Sequence, residues 1–306
     1  MALYPTTVLD FEEQFATEEA CHQYLVSVRW PDGVTCLRCG AEQIWSMQRG
    51  VYWCGQCAYQ FSVTAGTLFQ GSRKPLRLWF RAIWYVVNQK QGVSALGLQR
   101  VLGLGSYRTA WTWLHKLRRG MVRPGRERLA GTVELDEAYV GGAKPGKRGR
   151  GAEGKTLVLV AAEARATQIG RIRLLRIANA SAKSLVPAVQ TLVEPGSRLR
   201  TDGWASYRGL GTKGYGHDIV RPGADVGDNL LPLVNRVVAL LKTWLQGTHQ
   251  GAVQPAHLDY YLEEFTFRFN RRTSRSRGKL FARLVEQAVA IGPTTGQEIR
   301  GGRPLS

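Results

Sequence analysis

The chain has 306 residues and is 44% hydrophobic, which is sufficient for two compact domains. It carries 42 lysines and arginines against 23 acidic residues, a formal net charge of +19 at pH 7. Because so large an imbalance opposes a compact fold by self-repulsion, it indicates a polyanionic partner, and nucleic acid is the first candidate. The sequence has no run of about 18 apolar residues and no signal-peptide pattern, so we expect a cytoplasmic protein without a membrane span.

The first part of the chain predicts two small modules. Residues 1–30 have the spacing of one or two short helices, and residues 34–70 contain short alternating runs typical of hairpins. We group these as a first segment, residues 1–70. Residues 71–125 form a second segment, in which three stretches have apolar residues at i, i+3 and i+4 and are predicted to be helices.

A different pattern begins after a polar linker at 121–131. The predicted elements are strands at 131–140, 156–164 and 170–178, a helix at 181–193, a strand, turn and helix over 197–207, and mostly helices from about 229. Strands followed by a helix and another strand predict a mixed α/β domain with helices around its sheet, for which we take residues 126–290. Residues 291–306 remain as a tail.

Four of the five cysteines form two CxxC pairs. Cys36 and Cys39 are the first pair and Cys54 and Cys57 the second, with 14 residues between the pairs. Two such pairs supply four thiolates at the corners of a tetrahedron, which is a ligand set of structural zinc. A reducing compartment also favours a metal site over disulfides. We therefore predict a zinc ribbon, and we expect Cys21 to be an ordinary buried side chain.

Residues 92–120 have the layout of a helix-turn-helix. A short helix ends at Gly103–Gly105 and a second begins at Ser106, so Arg108 lies on its leading turn, where phosphates and base edges are contacted. Lys116 and Arg118, near the end of the same helix, are further candidates for DNA contact. The alternative is an ordinary helical hairpin, in which these cations only complement the helix dipole.

Two aspartates stand at the ends of strand-like runs. Asp136 ends GTVELD, and Asp202 ends SRLRTD. Carboxylates at the tips of neighbouring strands can share divalent ions such as magnesium or manganese, which assist in-line attack on a phosphodiester. The alternative for each aspartate alone is a cap or turn residue. Glu134 and Glu137 are predicted to be outward-facing or supporting groups.

One known family is similar to this chain over roughly residues 10–290. The stretches that carry the resemblance are VELDEAYVGG, TDGWASY, LLKTWLQGTHQGAVQPAHLDYYLEEFTFRFNRR and the CxxC ribbon with FSVTAGTLF. They resemble bacterial insertion-sequence DDE transposases of the zinc-ribbon, ISXO-type group. The resemblance implies a ribonuclease H-like catalytic domain, hydrolysis at the element's ends and attack of the freed 3′-hydroxyl on target DNA. It also implies double-stranded DNA as partner, a homo-oligomer on that DNA and association with the bacterial nucleoid.

By this resemblance, Asp136 and Asp202 are the first two catalytic acids, and a third residue lies on a later helix. Asn235 follows Asp202 by 33 positions, and Lys242 follows Asn235 by seven, about two helical turns. An amide at the third position departs from three-carboxylate chemistry, because its oxygen coordinates a metal without charge. Glu264 is the competing candidate.

Glu264 lies in YYLEEFTFRFN, close to several cations. Its alternative role is a salt bridge to Arg268 or Arg271. Arg268, Arg271 and Arg272 are in turn candidates for DNA contact, or else part of a solvated basic face. The leading hypothesis is a transposase. The alternatives are a non-enzymatic DNA-binding regulator built on the ribbon and helix-turn-helix, or a nuclease of the same fold that cuts without joining.

Overall fold

The computed structural model describes residues 4–123, 125–141, 155–166, 168–221, 229–251 and 253–302. The chain divides into two compact units. The first contains Met1–Arg123 and Ser274–Gly301, and the second contains Pro124–Thr273 and Gly302–Ser306. No helix in the described ranges combines the length and apolar character that crossing a membrane requires.

The secondary structure follows the chain in this order. The helices are α1 (Val8–Gln14), α2 (Glu18–Arg29), α3 (Leu76–Asn88), α4 (Ala95–Leu102), α5 (Tyr107–Gly120), α6 (Ala182–Leu192), α7 (Pro232–His249), α8 (Leu258–Asn270), α9 (Arg277–Ala290) and α10 (Gly296–Arg300). The strands are β1 (Ile44–Ser46), β2 (Val51–Cys54), β3 (Gln60–Ser62), β4 (Thr132–Val140), β5 (Thr156–Arg165), β6 (Gln168–Ile177), β7 (Arg198–Thr201) and β8 (Gly216–Ile219). Short 3-10 helices occupy Gln48–Gly50, Ala205–Lys213 and Pro255–His257.

An aromatic core holds the first unit together. The ring of Phe281 on α9 lies 5.5 Å from Phe11, 5.3 Å from Phe15 and 5.6 Å from Phe80, measured between centroids. Such aromatic pairs add about 0.5–1.5 kcal/mol each beyond the area they bury. The sequence assigns residues 274–290 to the α/β domain, and the structure differs: α9 packs on α2, α3 and α5. Hydrophobic spacing shows that a helix is amphipathic, but it does not show which partner covers its apolar face.

The described residues form a three-stranded sheet, β1-β2-β3, in the first unit and a five-stranded sheet in the second. The larger sheet has the order β6-β5-β4-β7-β8. β5 is antiparallel to both β4 and β6, whereas β7 is parallel to β4 and β8 is parallel to β7. The predicted mixed sheet is therefore confirmed, with the addition of β8, which is too short and polar to be recognised from sequence.

Alternating side chains give the large sheet two apolar faces. On one face, Ala138 and Val160 pack with Val237 of α7 and Phe265 of α8. On the other face, Leu135 and its neighbours pack against α6. Even-numbered residues of β4 consequently face α7, and this assignment decides which polar side chains of β4 meet that helix.

Candidate zinc centre and active site

The four cysteines of the predicted ribbon converge on one point. The Sγ atoms of Cys36, Cys39, Cys54 and Cys57 all lie within 4.8 Å of one another. Cys36 and Cys57 are 3.6 Å apart, as are Cys39 and Cys54. A tetrahedral zinc ion with Zn–S bonds of about 2.3 Å separates its sulfurs by about 3.8 Å. The donor set and its spacing therefore fit zinc, while Cys21 is fully buried elsewhere, as expected.

Backbone geometry explains how each CxxC pair turns. Gly40 follows the first pair with φ of 75°, and Ala58 follows the second with φ of 56°. Both residues thus adopt the left-handed conformation. The Gly40 and Ala58 amides donate to the carbonyls of Cys36 and Cys54 at 3.0 and 2.9 Å. These two equivalent turns direct the thiolates of each pair toward the same point.

Asp136 and Asp202 lie at the same level of two neighbouring parallel strands. Glu134 of β4 pairs with Arg200 of β7, 66 positions later. Asp136 and Asp202 are separated by the same 66 positions, and each follows its paired neighbour by two residues. Since neighbouring strands are about 4.8 Å apart, the register brings the two residues side by side. Asp202 directly follows the last residue of β7, whereas Asp136 lies within β4 and does not end its strand as the sequence predicts.

The electrostatics of the pair agree with this placement. Burial raises the pKa of Asp136 from 3.8 to about 6; a hydrogen bond from the Glu137 amide opposes the rise and the negative charge of Asp202 adds to it. Asp136 is half-buried and Asp202 is exposed. A carboxylate whose ionised form is disfavoured by burial and by a neighbouring carboxylate forms part of a site that a cation stabilises.

The turn after Asp202 fixes the direction of its carboxylate. Asp202 Oδ1 accepts a hydrogen bond from the Trp204 amide at 2.9 Å. Gly203 between them has φ of 82°, and a Cβ there would lie 2.5 Å from the Ile219 side chain on β8. Glycine is therefore required in the TDG motif both for its backbone conformation and for the close approach of β8.

Glu134 is the most buried acid near the pair, with 0% exposure. Its Oε2 accepts hydrogen bonds from the amides of Leu233 at 2.8 Å and Val234 at 3.2 Å, in the first turn of α7. Its Oε1 lies 3.4 Å from Nη1 of Arg200. Glu134 thereby joins β4 to α7 and to β7.

Asn235 and Lys242, the predicted third residue and its companion, are both exposed on α7. Asn235 Nδ2 donates to Asn229 at 2.6 Å, a contact that uses the amide nitrogen and not the oxygen. α7 packs directly on β4 and β5, the strand of Asp136 and its neighbour. The amide oxygen of Asn235 is thus carried by a helix anchored beside the acids.

Glu264, the competing third residue, occupies a different environment. It lies on α8, which packs on the edge strand β6, and only 1% of it is exposed. Its Oε1 is 2.7 Å from Nη2 and 2.8 Å from Nε of Arg268. The alternative salt bridge predicted for Glu264 is therefore present, and the carboxylate is neutralised within α8.

A second carboxylate beside Asp136 is also held from within the domain. Glu137 faces the opposite side of β4 and accepts a hydrogen bond from the hydroxyl of Tyr207. Tyr207 belongs to the 3-10 helix that follows Asp202, so this bond ties together the two motifs LDE and TDGWASY. The sequence leaves open whether Glu134 is outward-facing or supporting, and it does not identify Tyr207 as part of the site. The spacing of Glu134, two residues before Asp136, was the available signal, because such residues share a strand face.

The predicted DNA-contact residues of α5 have different surroundings. α4 ends at Gly103 with φ of 61°, and Ser106 caps α5 by accepting from the Thr109 amide at 3.1 Å. Arg108, in the first turn of α5, is exposed, and Lys116 is half-buried. For Arg118 the structure differs from the predicted DNA contact. The side chain is only 2% exposed, and its guanidinium lies 3.2 Å from His115 Nδ1. A side chain buried in this way does not reach a phosphate.

The three arginines at the end of α8 also differ from one another. Arg268 is engaged by Glu264, as described. Arg271 lies over the Phe267 ring at 4.1 Å and Arg272 over the Phe269 ring at 4.2 Å. Arg272 is exposed overall and also donates to carbonyls of β6. Among these three, Arg272 remains the best candidate for contact with DNA.

Comparison with known proteins finds that the zinc ribbon and the α/β domain both match domains of transposases. Residues 128–270 match the ISXO2-like transposase domain, and residues 16–60 match the transposase zinc-ribbon domain. A relative from Halobacterium salinarum, described as an uncharacterized protein in the transposable element ISH50, is 29% identical over 303 residues, which cover 87% of this chain and 94% of that protein. The resemblance found in the sequence is thereby confirmed. The chain belongs to the family of insertion-sequence transposases that join an N-terminal zinc ribbon to an ISXO2-like transposase domain.

Proposed function

We propose that this transposase cleaves DNA at the ends of its element and joins the freed 3′-hydroxyl to target DNA, using Asp136 and Asp202 as its first two catalytic acids. The observation that carries the proposal is the equal level of these acids on parallel strands β4 and β7. The raised pKa of Asp136, caused by burial and by Asp202, supports it. A carboxylate whose pKa is perturbed by burial and by a second acid is typical of catalytic sites.

The donor set fits a hard divalent cation. Carboxylate oxygens of Asp136 and Asp202 and the amide oxygen of Asn235 are the kind of ligand that magnesium and manganese prefer. A bound cation of this class would stabilise charge on the attacking and leaving oxygens of the phosphodiester. The chain's own part is to hold these oxygens in a fixed arrangement, and the register of β4 and β7 and the turn at Gly203 support this role for the two aspartates.

For the third position we favour Asn235 over Glu264. α7 packs on the strand of Asp136, whereas the Glu264 carboxylate is committed to Arg268 on α8. Lys242 lies two turns after Asn235 on the same helix, where its ammonium group can contact a DNA phosphate. We assign it that role.

The remaining architecture supports DNA binding by both units. The mixed five-stranded sheet with helices on both faces supports the ribonuclease H-like fold implied by the resemblance. In the first unit, the glycine-terminated α4 and serine-capped α5 support a helix-turn-helix that presents Arg108 to DNA. Excess positive charge supplies the affinity for phosphates.

A joining assay tests the proposal. The zinc-loaded protein is incubated with magnesium, a target plasmid and labelled, pre-cleaved DNA from each flank of its reading frame. We expect a covalently joined product. Cutting without joining would identify a nuclease, and binding without either reaction would identify a regulator.

Two variants then separate the candidates for the third position. Asn235→Ala should lose joining while it keeps DNA binding. Glu264→Gln should retain joining, although it weakens a buried ion pair and lowers stability. The opposite pattern, in two folded proteins, would replace Asn235 with Glu264.

A further inference from the structure

Glu134 is a carboxylate where a sheet core normally has an apolar side chain. It is 0% exposed and lies between Val133 and Leu135, which are also fully buried. Burying an ionisable group is unfavourable unless its hydrogen-bonding capacity is satisfied. Three donors satisfy this one: the amides of Leu233 and Val234 and the guanidinium of Arg200. All of its described partners are donors, so the position selects for a pure acceptor.

The helix that Glu134 contacts has no side-chain cap of its own. α7 begins at Pro232 after Leu231, and no side chain at its N-cap accepts a hydrogen bond. The first turn of a helix leaves backbone amides without intrahelical partners. Glu134 supplies the missing acceptor from a different element, and its negative charge also complements the helix dipole.

The same carboxylate reaches the strand of the second acid. Arg200, its third partner, lies two residues before Asp202, just as Glu134 lies two residues before Asp136. Glu134, itself on β4 with Asp136, therefore contacts α7, which carries Asn235, and β7, the strand that leads into Asp202.

We propose that Glu134 is a positioning residue that fixes the first turn of α7, and with it Asn235, relative to Asp136 and Asp202. This role rests on the proposed function. Glu134 does not face the cation itself, since its oxygens are occupied by α7 and Arg200. It acts through Asn235, whose amide oxygen would otherwise move with a frayed helix end.

The variant Glu134→Gln tests this role, because its amide group places a donor against other donors while preserving size. Glu163→Gln is the matched control. Glu163 is also a buried strand glutamate, and it accepts from the Ala130 amide at 3.1 Å, the Arg171 amide at 3.1 Å and the Arg171 guanidinium. Both variants should lose stability, but only Glu134→Gln should affect α7.

The first readout is hydrogen exchange of the metal-free protein, and the second is the affinity for Mn²⁺ alone. Glu134→Gln should speed exchange in residues 231–240 by about tenfold relative to 241–249. It should weaken Mn²⁺ binding by about tenfold or more, the usual effect of losing a group that orients a metal ligand. Glu163→Gln should change neither. Unchanged exchange and Mn²⁺ affinity in Glu134→Gln would overturn the inference.

A double-mutant cycle with Asn235→Ala asks whether Glu134 acts through Asn235. In the Asn235→Ala background, Glu134→Gln should weaken Mn²⁺ binding by less than about twofold, because the two residues act as one unit. Fully additive effects would contradict the positioning role. Glu134→Asp, which is too short to reach α7, provides a second variant. Failure of both Glu134 variants to fold, while Glu163→Gln folds, would assign Glu134 to stability alone and overturn the inference.

Failure of the proposed function gives a different result. In that case, wild type would bind Mn²⁺ no better than Asp136→Ala, before any Glu134 variant is considered. If wild type binds Mn²⁺ well and Glu134→Gln binds equally well, the proposed function stands and the positioning role falls.

Discussion

The hydroxyl of Tyr207 donates a hydrogen bond to the carboxylate of Glu137. Tyr207 is 1% exposed and follows Asp202 by five residues, while Glu137 directly follows Asp136. The bond therefore closes a link between the chain segments behind the two proposed catalytic acids. It lies on the α6 side of the sheet, opposite the contact that Glu134 makes with α7.

Tyr207→Phe should destabilise the protein by about 1–2 kcal/mol, because the half-buried carboxylate of Glu137 loses one hydrogen-bond donor. It should also slow joining several-fold by loosening the segment after Asp202. Tyr215→Phe is the matched control, since Tyr215 is buried in the same core and its hydroxyl donates to the Val193 carbonyl at 2.9 Å. Urea unfolding should show a similar cost for both variants. Equal loss of joining in both would reduce the Tyr207 contact to general stability.

The zinc centre makes a separate prediction. Elemental analysis should find one zinc ion per chain, and Cys54→Ser should lose it and unfold the ribbon, because so small a sheet has little core of its own. Cys21→Ser serves as control, since Cys21 is buried away from the four ligands. It should retain one zinc. Zinc-free wild type, or zinc retained at full occupancy in Cys54→Ser, would contradict the assignment.

DNA binding should weaken steeply with salt. If about six phosphates are neutralised, log K should fall with log salt at a slope of about −5. Arg108→Ala should reduce the steepness by about one unit, because Arg108 is exposed on the first turn of α5. Arg118→Ala should leave the slope unchanged while the protein stays folded, because Arg118 is buried. The reverse order for these two arginines would overturn the interpretation of α5.

The raised pKa of Asp136 predicts that the stability of the metal-free protein depends on pH. Its folded pKa of about 6 lies above the ordinary 3.8, so the folded state holds the proton more tightly than the unfolded state. Stability from this group is greatest below pH 3.8 and is lost as pH rises through about 6. Asp136→Asn should therefore be more stable than wild type at pH 8, by at most about 3 kcal/mol, and equal to it near pH 3.5. Thermal unfolding at both pH values tests this, and lower stability of Asp136→Asn at pH 8 would contradict it.

Local patterns predicted the elements that depend on short-range chemistry. CxxC spacing identified the zinc ligands, and the alternation of β4–β6 and the apolar spacing of α3–α5 identified a mixed sheet and a helical module. These patterns can be recognised in the sequence because each depends only on residues that are close together along the chain. The turn between α4 and α5 can also be predicted from the sequence. Gly103 is suited to end a helix and Ser106 is suited to cap the start of the next one.

Features that depend on distant contacts were missed or mistaken. Arg118 has the sequence of a surface cation, yet tertiary packing buries it. α9 has the periodicity of any amphipathic helix, and only the position of Phe281 shows that it completes the first unit. For Glu134 the sequence leaves two roles open, outward-facing or supporting, and it does not identify the partners, because the three donors come from segments 66 to 100 residues away. A buried carboxylate is satisfied by tertiary structure, which no local pattern records.

Single-turnover joining by Asp136→Ala and Asp202→Ala is the measurement closest to the proposed chemistry. Each variant is given pre-cleaved end DNA with magnesium, and DNA affinity is measured in parallel. Loss of one oxygen donor from the cation site should slow joining by about a thousandfold or more. DNA affinity should be unchanged or slightly higher, because each variant removes a negative charge from the site. Joining at the wild-type rate by either folded, DNA-bound variant would contradict the assignment of Asp136 and Asp202 as the catalytic acids.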